Sequence, residues 1–217
     1  MEQGGTRRDE IVEAMIRVVG DKGYLATSVA DVIAEADVSR TTFYKHFEDK
    51  RACFLDAYDL AVARILGTAE ATCAGGGRWP DRVRNALKAI VDLFAAEPAL
   101  ARTAIVEVSA AGAEARWRHS IAIGRLGQLL NPGKAAQRED APELPPNTGL
   151  MAVGAVAGLI LDELRAGPVA DLRRILPDLE FALLVPYLGP RAAAESSTTD
   201  AKRSDVEPRQ NPLQRLR

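Results

Sequence analysis

The stretch Ser39–Lys50, SRTTFYKHFEDK, gathers side chains suited to meeting a nucleic acid. Arg40 can fork onto the O6 and N7 acceptors of guanine, while Thr41 and Thr42 offer hydroxyls to base edges or methyl groups to thymine. Tyr44 and His46 can donate to phosphate oxygens, contacts that set register without reading sequence. Lys45 adds a cation beside them. Lys50 stands where a helix starts, and a helix N-terminus and an ammonium can hold one phosphate together. Thr27 and Ser28 occupy the same kind of position one helix earlier. Phe43 and Phe47 are four residues apart and fall together on the opposite face. One short helix thus serves two surfaces, aromatic toward a core and polar toward a partner.

Charge decides how far this patch can act alone. The 217 residues carry 28 Lys/Arg and 30 Asp/Glu, a net charge of −2, so the chain as a whole offers no attraction to a polyanion. Between Ser39 and Arg51 four cations stand against Glu48 and Asp49, a local +2. So modest a patch implies two copies binding together.

Other chemistry finds no footing. No nucleophile is matched with a histidine and a carboxylate, and the glycine-rich AGGGRWP follows a helix, not a strand, so it reads as a connector. Neither His46 nor His119 has a second ligand at metal spacing, so no metal, no cofactor and no enzymatic activity are expected. Cys53 and Cys73 lie on one helix about 30 Å apart by helical rise, too far to bridge. They leave a thiol-based redox switch as an alternative, beside a helical small-molecule-binding protein whose DNA unit is idle. The most apolar run, Gly149–Leu161, is thirteen residues, short of the roughly 20 that span a bilayer. No signal-peptide pattern opens the chain, and a cytoplasmic protein without membrane contact is expected.

The elements that must position these residues read as helices throughout, an all-α fold. Ile11, Ala14, Met15, Val18 and Val19 form the apolar face of a first helix closed by Gly23. Thr27 or Ser28 caps a second over SVADVIAEA, and Ser39 caps a third over RTTFYKHF. Two short helices on a tight link, backed by a third, have helix-turn-helix geometry. Asp49 opens a long fourth helix, broken by AGGGRWP. Helices follow over about 81–96, 99–111 and 113–130. A Pro-rich, charged linker spans Asn131–Asn147. Then come an apolar helix over Thr148–Arg165 and a last one over PDLEFALLVPYLG with Pro177 in its first turn. The expected division is a DNA-binding head at 1–48, a larger unit at 49–189 and a disordered tail at 190–217.

Thr27–Tyr58, TSVADVIAEADVSRTTFYKHFEDKRACFLDAY, resembles the DNA-binding region of the tetracycline-repressor (TetR/AcrR) family. The likeness lies in GDKGYLATSV, the hydroxyl cap, the turn before Val38, the TTFYKHF core and the DK entering helix four. It covers about Arg8–Leu66, and LPDLEFALLVPYLG resembles the last helix of many members. Lys45 departs from the pattern, since many relatives carry an aromatic there. The resemblance implies about nine helices and a homodimer bound to a palindromic operator on double-stranded DNA. It further implies a repressor released by a small-molecule effector whose identity the sequence does not specify. Residues suited to line the effector cavity are Tyr58, Phe94, Glu107, Trp117, Ile121 and Met151. The last two helices of each subunit would pair through Leu150, Val153, Gly154, Ala157, Gly158, Leu161, Phe181, Leu184, Val185 and Leu188.

Overall fold

The structure, a computed structural model, describes residues 7–132, 143–167 and 169–197. Among these the chain is all helix and turn. Helix α1 (Arg7–Lys22) buries Ile11, Met15 and Val19 on one face and ends at Gly23, whose φ of 81° only glycine adopts freely. Helix α2 (Val29–Ala36) begins in a capping box in which the Ser28 hydroxyl and the Asp31 carboxylate satisfy each other's backbone amides. It ends at Asp37, which takes the left-handed conformation at φ 49° and brings the Val38 N–H onto the Ile33 carbonyl at 3.2 Å. Helix α3 (Arg40–His46) starts from Ser39, whose hydroxyl accepts the Thr42 N–H at 3.0 Å.

Helix α4 (Lys50–Cys73) is capped by Asp49, which accepts the Ala52 N–H at 2.7 Å, and at about 36 Å it is long enough to join the reading head to the body. The body adds α5 (Trp79–Ala96), α6 (Pro98–Ala101), α7 (Ala113–Gln128), α8 (Thr148–Ala166) and α9 (Leu176–Ser197). The buried apolar residues form one contiguous cluster from Ile11 to Ala193, so head and body share a core. Helix α1 is tied to the body by Arg64 of α4, which pairs with Glu13 and, at 2.7 Å, with Glu97.

Two stretches differ from the sequence expectation. The helix expected over 99–111 is regular only as α6; it loosens into a π-helical turn over Arg102–Val106 and then tightens into a 3₁₀ turn over Glu107–Ala111. Helix also continues past residue 190, the expected start of the tail. Gly189, at φ 76°, redirects the chain, and Pro190 then starts further helix to Ser197. Arg84 holds that extension by donating to the Ser196 carbonyl at 2.5 Å, and Ala193 is buried beneath it. Residues 198–217 of the expected tail and 133–142 of the expected linker lie outside the described residues.

Candidate nucleic-acid interface and ligand cavity

Local sequence fixes which way α3 points. Phe43 is fully buried and Phe47 nearly so, with ring centroids 5.7 Å apart, and both belong to the core that contains Ile11, Met15 and Val32. The 100° step of the helix then carries Arg40, Thr41, Tyr44 and Lys45 to the outside, all exposed. Tyr44 is 49% exposed and meets the Phe43 ring edge-on, which steadies it without covering it. Thr42 and His46 are half-buried, and the Thr42 hydroxyl is hydrogen-bonded to that of Ser39 at 2.8 Å. Most cations near the head are engaged: Arg8 with Asp56, Arg17 with Glu35, Lys22 with Asp31 and Arg51 with Glu114. Among the described residues Arg40 and Lys45 make no ion pair, which leaves one guanidinium and one ammonium group exposed on α3.

Three expected contacts are occupied internally. Thr27 is buried, and its hydroxyl donates to the Gly23 carbonyl at 2.8 Å, so it points into the fold and not toward a phosphate. The Ser28 hydroxyl is spent on Asp31. Lys50 folds back instead of reaching outward: its ammonium donates to the carbonyls of Tyr24 and Thr27 at 2.9 and 2.8 Å and lies 4.3 Å from the Tyr24 ring centroid. The cation therefore fastens the α1–α2 connection to the start of α4.

The helices of the body line an apolar cavity of about 110 Å³. Val62, Ile65 and Leu66 of α4, Leu87 and Phe94 of α5, Ala104 and Ile105 of the π turn, Ala122 and Leu126 of α7, and Val153, Val156 and Ile160 of α8 line it. Its polar feature is a pair, the Tyr58 hydroxyl and His119 Nδ1, 3.2 Å apart. Burial pushes the Tyr58 phenol well above its usual range and holds the His119 pKa below its ordinary value of 6.5, so both are neutral at physiological pH. Tyr58 and Phe94 both line this cavity. Trp117, Ile121 and Met151 are on the outside, 64%, 44% and 57% exposed, and Glu107 is engaged elsewhere.

The neutral imidazole has a consequence for acid stability. A histidine whose folded pKa is depressed binds fewer protons when folded, so its contribution is intact above the unfolded value near 6.5. It is lost as pH falls from there toward the lower folded value. Urea midpoints should decline between pH 7 and pH 5, and His119→Gln should flatten that decline.

Helix α8 is apolar nearly all round, and the structure shows which side faces out. Leu150, Met151, Gly154, Gly158 and Leu159 are exposed, and a Cβ built on either glycine meets open space. Phe181 of α9 is exposed as well, while Ala157, Leu161, Val185 and Leu188 are half-buried. Val153 and Leu184 face the chain's own core, and Val153 and Ala157 also line the cavity. The outward face is instead extended by Met151, Leu159 and, on α7, Trp117 and Ile121.

The cysteines carry little thiolate. Burial, with Asp56 adding to it, pushes Cys53 up to about 12, and burial also raises Cys73. Among the described residues no cluster of metal-ligating side chains occurs, and no helix is long and apolar enough to cross a membrane.

Residues 11–57 match the family model for bacterial regulatory proteins, tetR family. The chain is similar to the uncharacterized HTH-type transcriptional regulator YerO of Bacillus subtilis, 33% identical over 60 residues. That match covers 28% of this chain and 21% of the length of YerO. The whole fold is similar to the fatty acid degradation regulator FadR of Bacillus halodurans, with a TM-score of 0.69, 16% identity, and 84% of this chain and 97% of that one covered. FadR of Bacillus subtilis, solved in complex with stearoyl-CoA, aligns with a TM-score of 0.63 and 14% identity over 83% of this chain and 98% of that one. GusR of Salmonella enterica aligns at 0.65 and 19% identity over 86% and 98%. The tetR family model thus matches the N-terminal helices in sequence, and the fold of the chain is similar to that of these regulators along most of its length.

Proposed function

We propose that this protein is a homodimeric, DNA-binding transcriptional repressor that leaves its operator when an apolar small molecule fills the cavity of the body. The observation that carries the reading is α3, with Phe43 and Phe47 anchored in the core and Arg40, Thr41, Tyr44 and Lys45 exposed together. Residues 1–48 serve as the reading head, and the helical body that follows binds the effector and the second subunit. The exposed apolar stripe of α7, α8 and α9 supports a two-fold pairing in which each copy offers the same surface. Such a dimer reads a roughly palindromic site, its two α3 helices entering major grooves about 34–36 Å apart or farther on a longer operator. The aliphatic lining supports an effector with a hydrocarbon body and one hydrogen-bonding group for Tyr58 and His119. The stearoyl-CoA bound by a protein of the same fold suits that chemistry. A regulator of this kind works in the cytoplasm.

Selection of bound fragments from random-sequence DNA tests the reading. The wild-type chain should enrich a two-fold symmetric motif. Arg40→Ala should lower affinity about tenfold and relax preference at one position in each half-site. Lys50→Met should act differently, lowering thermal stability while leaving the salt dependence of binding unchanged, since its ammonium serves carbonyls and not phosphates. Failure of the wild-type chain to prefer any sequence refutes the proposal.

A further inference from the structure

We infer that Glu107 is the positioning residue through which the cavity acts on the DNA-reading head. The inference rests on the regulator reading above and adds the route of communication. Glu107 is the first residue of the 3₁₀ turn that follows the π-helical turn, and its carboxylate reaches from the body to the α1–α2 connection. Oε2 accepts the backbone N–H of Tyr24 at 2.8 Å, across 83 residues of sequence, while Oε1 accepts from the Arg102 guanidinium at 3.4 Å. A Cβ on Gly23 would lie 3.3 Å from that same Oε2, so the glycine leaves room for the carboxylate as well as for the turn.

Tyr24 is therefore gripped from two sides. Its N–H belongs to the body through Glu107, and its carbonyl and ring belong to α4 through Lys50. The ring packs on Phe54, with centroids 4.7 Å apart. Four residues on, Ser28 starts α2, the helix that carries α3. A shift of Tyr24 moves the connection from which the whole reading unit hangs.

The other end of the route is the cavity wall. Ala104 and Ile105 line the cavity and lie within the π turn, two to three residues before Glu107. A π turn closes its hydrogen bonds five residues back, as the Glu107 N–H does onto the Arg102 carbonyl. That wider turn is less favourable than α-helix and recurs where a helix must change. An occupant pressing on Ala104 and Ile105 can be absorbed by rewinding this turn, and rewinding rotates Glu107 off Tyr24. Thr103, fully buried, ties the same turn to α1 by donating to the Ile16 carbonyl at 3.5 Å, so the segment moves against the head and not against solvent.

The test needs no knowledge of the natural effector. Ala122→Leu, on the α7 wall of the same cavity, takes up part of its space and serves as a built-in occupant. Hydrogen exchange of the Tyr24 amide, followed by NMR in the full-length protein, reports the contact directly. Glu107→Ala should speed that exchange about tenfold or more, with the Phe94 amide unchanged, and Glu107→Gln, which keeps an acceptor, should largely restore protection. Ala122→Leu should speed Tyr24 exchange in the wild-type background and weaken binding to the selected operator about tenfold. In the Glu107→Ala background it should change operator affinity by less than about twofold, because the link is already cut. Equal weakening in both backgrounds overturns the inference, and so does an Ala122→Leu protein whose Tyr24 amide exchanges as in wild type. Should no form of the protein prefer any DNA sequence, the regulator reading falls. The Tyr24 exchange in Ala122→Leu then decides the relay by itself.

Discussion

Replacing Phe43 with alanine is expected to remove about 3–5 kcal/mol of stability and, with it, the protein's hold on DNA. The side chain has no solvent exposure and touches aromatic neighbours on two sides, Tyr44 at 5.4 Å and Phe47 at 5.7 Å between centroids. Its removal strips the transfer energy of a phenyl group and opens a hole in the core that head and body share. Urea unfolding followed by circular dichroism measures the loss. Thr41→Ala, on the exposed face of the same helix, should stay within about 0.5 kcal/mol of wild type. Equal stability of the two variants would mean that the helix does not divide its faces as described.

The second large effect runs against helix propensity. Gly20 lies inside α1, where alanine is normally better by about 1 kcal/mol. A Cβ at this position, however, would lie 2.4 Å from Ala99 Cβ and 2.5 Å from Ala99 Cα. Helices α1 and α6 cross here with only hydrogen atoms between them, so an added methyl group must push the reading head off the body. The overpacking outweighs propensity, and Gly20→Ala should destabilise by about 1–3 kcal/mol. Gly67→Ala provides the contrast, since nothing lies within 4 Å of a Cβ there and the residue is exposed on α4. That change should stabilise by about 0.5–1 kcal/mol. Thermal melts of the two variants should therefore move in opposite directions, and a shared direction would show that the close crossing is not tight.

These two glycines also mark where the sequence could be read and where it could not. Helix α3 was legible because its faces differ in kind, aromatic against polar, and because Ser28, Ser39 and Asp49 announce each helix start by local hydrogen bonding. Helix α8 was not. With apolar residues nearly all round, composition alone does not separate Val153, which faces the cavity, from Gly154, which faces out. Lys50 was legible as a helix-start cation, but its acceptors are the carbonyls of Tyr24 and Thr27, brought near only by tertiary packing. Glu107 posed the same difficulty more sharply, its partner lying 83 residues away. Gly189-Pro190 looked like a helix stop and is a kink, because Arg84, distant in sequence, holds the next turns in place.

The cavity has one consequence unrelated to recognition. Space enclosed by the folded chain is volume that unfolding eliminates, so hydrostatic pressure acts on the protein through it. Compression should unfold the free protein more readily than a variant in which Ala122→Leu occupies part of the roughly 110 Å³. Such a chamber makes the protein a soft body, and filling it should harden the molecule.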